Sequence, residues 1–162
     1  MKTHKAVRIT VQSVLIALLI GADQLLKIWA QRSLAGRVLS ADGFMALRVV
    51  RNTGAAFSML SGETSILIWG TGAVLLGCLA YLFFGRGRSR LGDAALLLVI
   101  AGGAGNLIDR IRLGYVIDYI EPLFVDFAVF NFADCLITVG AALLVVWTIL
   151  GARRDKAGKA ES

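Results

Sequence analysis

The sequence predicts an all-α membrane protein, a four-helix transmembrane bundle with a small extracytoplasmic β segment between helices 1 and 2. Composition is the first observation: 57% of the 162 residues are hydrophobic, only one is proline, and the mean hydropathy is +0.75. Soluble domains have a lower apolar fraction. The second observation is four apolar stretches, which lie at about 11–30, 66–84, 94–111 and 132–150. Each is close to the roughly 20 residues that cross about 30 Å of hydrocarbon, so we expect one integral membrane domain over residues 1–162.

The basic residues predict the orientation of these spans. The net charge is +6, and most of it lies before the first span, between the second and third spans, and after the fourth. Because cytoplasmic loops are enriched in Lys and Arg, we expect both termini on the cytoplasmic side. Arginines in the loop after the first span weaken this bias without reversing it; they are Arg32, Arg37, Arg48 and Arg51. The same placement explains the basic charge by topology, so no nucleic acid partner is expected.

The first span is expected to remain in the membrane. It lacks a small-residue cleavage site, and Asp23, Gln24 and Lys27 lie near its end, whereas a cleavable signal peptide has an apolar core followed by small residues. Cys78 and Cys135 lie in different apolar spans, where small hydrophobic packing is the ordinary role of a free cysteine.

Two outer connections carry the extracytoplasmic structure that we predict. The loop at about 32–62 is longer than most connections, and such loops are often functional. Within it, residues 44–50 are rich in apolar and β-branched side chains and precede the turn signal at Asn52 to Gly54, so we expect a small sheet lying on the outer membrane surface. The connection at 113–130 has a composition typical of an interfacial loop or short helix.

Polar residues gather at one level of the predicted bundle. Spans one and three run outward and span four runs inward, which brings the outer ends of the first two and the start of the last together. The residues at this level are Asp23, Lys27, Asn106, Asp109, Arg110, Asn131 and Asp134, and the outer connections add Asn52 and Asp118. Ionisable groups at hydrocarbon depth are costly and usually mark a reaction site or an ion pathway.

Several of these residues also have a structural interpretation. Asp23 and Lys27 are four residues apart and can pair on one helix face. Asn131 and Asp134 can form the N-cap and third residue of a helix, an arrangement that resembles a capping box. Asp109 either joins the site or forms a salt bridge at a helix end. The glycines at 102, 103 and 105 permit close helix packing.

The residue types at this level favour catalysis by carboxylic acid side chains. The one histidine, His4, lies in the predicted cytoplasmic tail, so no Ser/His/Asp triad or Cys/His pair can form at the outer site, and His/Cys metal ligands are missing too. Two close carboxylates cannot both ionise and therefore share a proton, which allows them to activate water against a peptide bond without a metal or other cofactor. Asp118 and Asp134 are the predicted pair. Which one is the base and which the acid stays open, since the pair titrates as a unit.

Four sequence motifs resemble those of a known protein family. They are NTGAAF at 52–57, GGAGNLIDR at 102–110, VIDY at 116–119 and FNFAD at 130–134. In this order, together with Asp23 and Lys27 and four spans, they resemble those of the lipoprotein signal peptidases, signal peptidase II. The departures are Ala101, where glycine is common, and the apolar variations Ile117 and Phe132. None of them touches a proposed catalytic group.

The resemblance implies an aspartyl endopeptidase of the bacterial inner membrane, with its active site at the outer face. Such an enzyme removes the signal peptide from prolipoproteins by cutting before the diacylglyceryl-modified cysteine. Asp118 and Asp134 match the catalytic pair. The residues that match the lining and support of the site are Asp23, Lys27, Asn52, Gly102, Asn106, Arg110, Asn131 and Ala133. The implied partners are the lipid-modified substrate and membrane lipids, and we expect the protein to act as a monomer.

Two other classes of function are alternatives to a protease. A small transporter or channel also uses intramembrane carboxylates, but it would have polar residues through the whole membrane depth, and here the cytoplasmic halves of the spans are nearly empty of them. An assembly factor would use polar residues only to hold helices together. It would not need two acids facing each other.

Overall fold

The computed structural model describes residues 2–41, 43–54, 62–85 and 89–160. The elements in chain order are α1 (Lys2–Ser33), β1 (Leu39–Ala41), β2 (Met45–Asn52), α2 (Thr64–Phe84), α3 (Arg90–Leu113), β3 (Val116–Pro122) and α4 (Phe132–Ala160). In the described part of the chain, four helices are long and apolar enough to cross a membrane. The predicted class, a four-helix membrane protein with a small β segment, is confirmed.

Helix α3 is the centre of the bundle and contacts each of the other three helices. In its most apolar window 56% of the residues are buried, against 11% in the corresponding window of each other helix. Small residues make this possible, because a Cβ on Gly102 would collide with the carbonyl oxygen of Ala133 in α4, and a Cβ on Gly103 would lie 2.8 Å from Leu75 Cδ2 in α2. The glycines of α3 therefore set its distance from both neighbours.

The remaining helices expose their apolar side chains outward. Leu18 of α1, Trp69 of α2 and Val139 of α4 are examples of large hydrophobic residues on this outer surface. Exposed side chains of this kind are favourable only where hydrocarbon surrounds the helices. The outer surface is therefore suited to contact with lipid.

The three strands form one antiparallel sheet in the order β1-β2-β3. The register pairs Ala41 with Met45 in the first hairpin and Val50 with Asp118 between β2 and β3, with an irregularity between Leu47 and Val50. Tyr119 packs with Ala30 and Leu34 in a buried cluster, which fixes β3 against the end of α1.

One expectation for this region is wrong. The composition of the connection at 113–130 predicts an interfacial loop or short helix, whereas the structure has a strand at Val116–Pro122. The strand exists because β2 offers it a hydrogen-bonding edge. Residues 55–61, which include the last three residues of the NTGAAF motif, lie outside the described residues.

Candidate active site

A cavity of about 630 Å³ lies where α3, α4 and the sheet meet. Five of the predicted site residues line it: Asn52, Asn106, Arg110, Asp118 and Asp134. An apolar wall at 127–130 borders the same cavity, and Thr71 and Val139 extend it along α2 and α4. Both aspartates of the predicted pair therefore face one space that has polar and apolar walls.

Asp118 is a residue of β3, and two side-chain amides hold its carboxylate in place. Asn52 Nδ2 donates a hydrogen bond to Asp118 Oδ2 at 2.9 Å, and Asn131 Nδ2 donates one to Asp118 Oδ1 at 2.6 Å. The side chain is only 1% exposed. Burial raises the pKa of Asp118 to about 6, with a further contribution from the negative charge of Asp134, although the two amide donors oppose the shift. This carboxyl can therefore hold a proton close to neutral pH.

Asp134 lies in the first turn of α4 and forms a reciprocal cap with Asn131. Asp134 Oδ2 accepts the backbone N–H of Asn131, and Asn131 Oδ1 accepts the backbone N–H of Asp134, each at 3.0 Å. The other carboxylate oxygen, Oδ1, accepts Asn106 Nδ2 at 2.8 Å. The capping interpretation of Asn131 and Asp134 thus describes the geometry correctly, and it leaves Asp134 on the cavity wall.

Asn131 also links the two aspartates. Its Oδ1 faces the N–H of Asp134, so its Nδ2 must point the other way, where it donates to Asp118 Oδ1 and to Asn106 Oδ1 at 3.1 Å. A single buried amide therefore contacts β3, α3 and α4 together. It serves as a helix cap and as a contact to Asp118 at once.

A buried ion cluster lies behind the cavity and consists of Asp23, Lys27 and Asp109. Lys27 is 1% exposed, and its Nζ is 2.9 Å from Asp23 Oδ2, from Asp109 Oδ2 and from Asn106 Oδ1. The Asp23 and Lys27 pairing expected from their spacing is present. Asp109 belongs to this cluster: it forms a salt bridge with Lys27 and does not line the cavity.

Asp23 and two small residues set the position of α4. Asp23 Oδ1 accepts the backbone N–H of Ala133 at 3.1 Å. Gly105 has no side chain to displace this carboxylate, since a Cβ there would lie 2.5 Å from Asp23 Oδ2. Gly102 likewise leaves space for the carbonyl oxygen of Ala133. None of these residues lines the cavity, and neither do Lys27 and Asn131.

Arg110 reaches the turn that follows β2. Its Nη2 donates to the carbonyl oxygen of Gly54 at 2.8 Å, and the N–H of Gly54 donates to Asn52 Oδ1 at 3.0 Å. This contact orients Asn52, whose other amide end points to Asp118. Arg110 Nε is buried and makes no hydrogen bond with the described residues.

Some residues of the site were not among the predicted ones. Gln24 donates to Asp109 Oδ1 at 3.1 Å and to Asp23 Oδ2 at 3.2 Å. A polar residue beside Asp23 inside an apolar span is a signal that could have indicated it. The apolar wall at 127–130 has no such signal, because its residues look like any other apolar loop. Among the described residues, no group of three or more His, Cys, Asp or Glu side chains could hold a metal ion.

The comparisons with known proteins agree with this architecture. The family described as signal peptidase (SPase) II matches residues 15–150. A lipoprotein signal peptidase from Streptococcus thermophilus (strain CNRZ 1066) is 41% identical over 135 residues, which cover 82% of this chain and 88% of the relative. One from Streptococcus pyogenes serotype M5 (strain Manfredo) is 43% identical over 133 residues, or 81% and 88% of the two chains.

Two solved structures share the fold. Both are described as bacterial membrane enzymes studied by the in meso method, at 2.3 and 1.9 Å resolution. The first has a TM-score of 0.82 and 26% identity and covers 89% of this chain and 90% of its own. The second has a TM-score of 0.77 and 27% identity, with 86% and 93% covered. By family match, by relatives and by fold, this chain belongs to the signal peptidase II family of bacterial multi-pass membrane proteins.

Proposed function

We propose that this protein is a lipoprotein signal peptidase that uses Asp118 and Asp134 as an aspartyl pair and cuts before the diacylglyceryl-modified cysteine of a prolipoprotein. Membership of the family implies a protease, and the named relatives are lipoprotein signal peptidases. The observation that carries the mechanism is the pair of aspartates on one cavity, linked by the Asn131 side chain.

In the proposed reaction the pair holds one shared proton. The ionised carboxylate takes a proton from a water molecule, whose oxygen attacks the scissile carbonyl carbon, while the protonated carboxyl gives its proton to the carbonyl oxygen. One carboxyl then protonates the leaving amine nitrogen as the C–N bond breaks, and the other regains a proton from the intermediate. The raised pKa of Asp118 supports a proton on the pair near neutral pH.

The amides around the pair support its geometry. Asn52, Asn106 and Asn131 each direct an N–H toward a carboxylate oxygen of Asp118 or Asp134. Such fixed donors hold both carboxylates in one rotamer before substrate arrives, which reduces the reorganisation needed in the transition state. We assign these amides to orientation of the pair.

The cavity walls suit a substrate that arrives from the membrane. The wall at 127–130 is apolar, and Val139, which is 51% exposed on the outer surface of α4, also lines the cavity. A signal helix with acyl chains must approach through hydrocarbon, whereas hydrolysis needs water. A cavity that joins a polar carboxylate end to an apolar lipid-facing end meets both needs. We propose that the chain acts on this substrate as a monomer and without a cofactor.

The charge distribution supports an outward-facing site. We propose cytoplasmic termini and an active site at the outer face of the inner membrane, since the basic residues near both termini favour the cytoplasm. The test is labelling of Ser40→Cys, an exposed residue of β1, with a membrane-impermeant maleimide in intact cells and with Cys78 and Cys135 replaced by Ala. Arg90→Cys at the start of α3 is the matched control. Labelling of position 40 alone is expected, and labelling of position 90 alone would reverse the topology.

The mechanism is tested by cleavage of a diacylglyceryl-modified prolipoprotein with the purified full chain in detergent. Asp118→Asn and Asp134→Asn keep the shape of each side chain and remove its titratable oxygen. We expect each to lower turnover by about 10³-fold or more. Asp126→Asn is the control, because Asp126 is exposed and does not line the cavity. Near wild-type turnover in either of the first two variants, with the protein folded, would contradict the aspartyl pair.

A further inference from the structure

Asp109 lies behind the cavity and does not line it, yet it contacts β3, which carries Asp118, and Lys27, which contacts Asn106 beside Asp134. We propose that Asp109 is a positioning residue for peptide hydrolysis, which acts through Lys27 on Asn106 and Asp134 and through the backbone of Ile117 on Asp118. This inference rests on the proposed function of the chain.

The first arm runs from Asp109 through Lys27 to Asp134. An ammonium group can only donate hydrogen bonds, so the amide oxygen of Asn106 must face Lys27 Nζ, 2.9 Å away. The amide nitrogen of Asn106 must then face Asp134 Oδ1, which it contacts at 2.8 Å. Asp109 Oδ2, also 2.9 Å from Nζ, helps to hold the ammonium at this point. Lys27 thus decides which end of Asn106 meets Asp134.

The second arm runs from the same carboxylate oxygen to β3. Asp109 Oδ2 accepts the backbone N–H of Ile117 at 3.2 Å, one residue before Asp118. The other oxygen, Oδ1, accepts Gln24 Nε2 from α1. The carboxylate therefore has contacts to α1 and β3 at once, all at buried or half-buried atoms. A displacement of Asp109 would move both aspartates relative to each other.

Charge gives Asp109 a second effect on the pair. The ion cluster contains one cation and two carboxylates, and the positive charge of Lys27 favours ionisation of Asp118. Asp109 offsets that charge. Outside the cluster, the charged or titratable groups near the pair are Arg110, Tyr119 and Cys135. Arg48 of β2 contacts Glu121, and Arg51 of β2 contacts Tyr115.

The effect of charge predicts opposite shifts of the pH profile of kcat for two variants. Asp109→Asn removes a negative charge, so Asp118 should lose its proton at lower pH, and the pH profile of kcat should move to lower pH by about 0.5 to 1 unit. Lys27→Met removes the positive charge and should move the profile to higher pH by a similar amount. The double variant restores the net charge of the cluster, so its profile should return to that of wild type.

The experiment measures kcat and KM for the diacylglyceryl-modified prolipoprotein across pH with the purified full chain. For Asp109→Asn we expect kcat to fall by about 10- to 100-fold while KM changes little, because a misplaced reacting group lowers turnover more than binding. Asp109→Glu keeps the charge but moves the carboxylate, and should lower kcat without shifting the profile. Asp126→Asn is the matched control and should change neither quantity.

Two results would overturn the inference. One is wild-type kcat in Asp109→Asn. The other is a lowered kcat with an unmoved pH profile, which is what a purely structural residue would give. If the single variant does not fold, the double variant is measured instead, and a shifted profile or wild-type kcat there would count against the inference. Cleavage by wild type and its loss in Asp118→Asn, assayed in parallel, separate a failure here from a failure of the proposed function.

Discussion

The Asp23 carboxylate accepts the backbone N–H of Ala133 at 3.1 Å, so a side chain of α1 caps the helix that carries Asp134. The first N–H groups of a helix have no partner within the helix. In α4 the N–H of Ala133 is satisfied by Asp23 and that of Asp134 by Asn131. A carboxylate at this end also interacts favourably with the helix dipole. The intramembrane acid of α1 therefore has a structural task at the site.

Asp23→Asn is expected to destabilise the protein. An asparagine can keep its oxygen toward the N–H of Ala133 only by turning its amide nitrogen toward Lys27, which cannot accept a hydrogen bond. Loss of a partner in a buried ion pair costs about 3 kcal/mol or more, so the midpoint of thermal unfolding in detergent should fall by about 5–15 °C. Asp126→Asn is the control. An unchanged midpoint for Asp23→Asn would show that Asp109 alone suffices for Lys27.

Gly105→Ala is expected to lower both stability and turnover. The added Cβ would lie 2.5 Å from Asp23 Oδ2 and 3.4 Å from Ala133 Cβ, so Asp23 would have to shift or α3 and α1 would have to separate. Overpacking of this kind costs about 1–3 kcal/mol. Gly77→Ala in α2 is a matched control, because its Cβ would meet nothing within 4 Å. Thermal unfolding and cleavage should be impaired only in the first variant; equal behaviour of the two would argue against close packing here.

The pH dependence of stability should reveal the buried Asp118 carboxyl. Its pKa in the folded protein is raised to about 6 from an ordinary value of 3.8. The folded state thus binds this proton more tightly than the unfolded state, and the contribution of Asp118 to stability increases as pH falls from about 7 to 4. As pH falls over this range, the unfolding midpoint of wild type should rise relative to that of Asp118→Asn. A constant difference between them would mean that Asp118 titrates normally.

Much of the helical architecture could be predicted from local sequence. An apolar run of about 20 residues indicates a membrane span whatever surrounds it. Hydropathy identifies only the apolar part, however, and α1 begins at Lys2 and α4 continues to Ala160. Their basic ends contain several Ala, Lys and Arg residues, which are good helix formers, so the helices extend beyond the apolar stretches.

Strand β3 could not be predicted in the same way. Its first four residues, Val116 to Tyr119, are all buried, so the alternation of polar and apolar residues that marks a half-buried strand is missing. The strand depends on β2, whose Val50 pairs with Asp118 far along the chain. Strand pairing between distant segments leaves no local signal.

Sequence reasoning grouped several candidate residues at one level of the bundle, but it could not give the contacts between them. The topology brought Asn52, Asp118 and Asp134 to one level, and the structure brings them to one cavity. The sequence offered helix capping as an alternative to a site role for Asn131, whereas the structure has it as a cap and in contact with Asp118. Both are possible because the two ends of an amide point in opposite directions, which no spacing rule expresses.

The end of the sheet has an exposed aromatic pair that should contact the membrane. Phe44 and Phe124 are 60% and 62% exposed, and their rings stack with centroids 4.6 Å apart. The N–H of Leu123 donates to the carbonyl oxygen of Phe44 at 2.9 Å, which holds the two turns together. Aromatic side chains favour the membrane interface. We therefore expect this end of the sheet to lie in the lipid headgroup region.

A nitroxide spin label at Phe44→Cys, in vesicles and with Cys78 and Cys135 replaced by Ala, measures this contact. The label should be more accessible to oxygen, which concentrates in the bilayer, than to a water-soluble nickel chelate. Arg51→Cys in the same sheet is the matched control, since Arg51 is charged, exposed and 5.2 Å from the Tyr115 ring, and its label should favour the nickel chelate. If both labels favour the chelate, the sheet stands clear of the membrane, and a lipidated substrate would have to leave the bilayer to reach it.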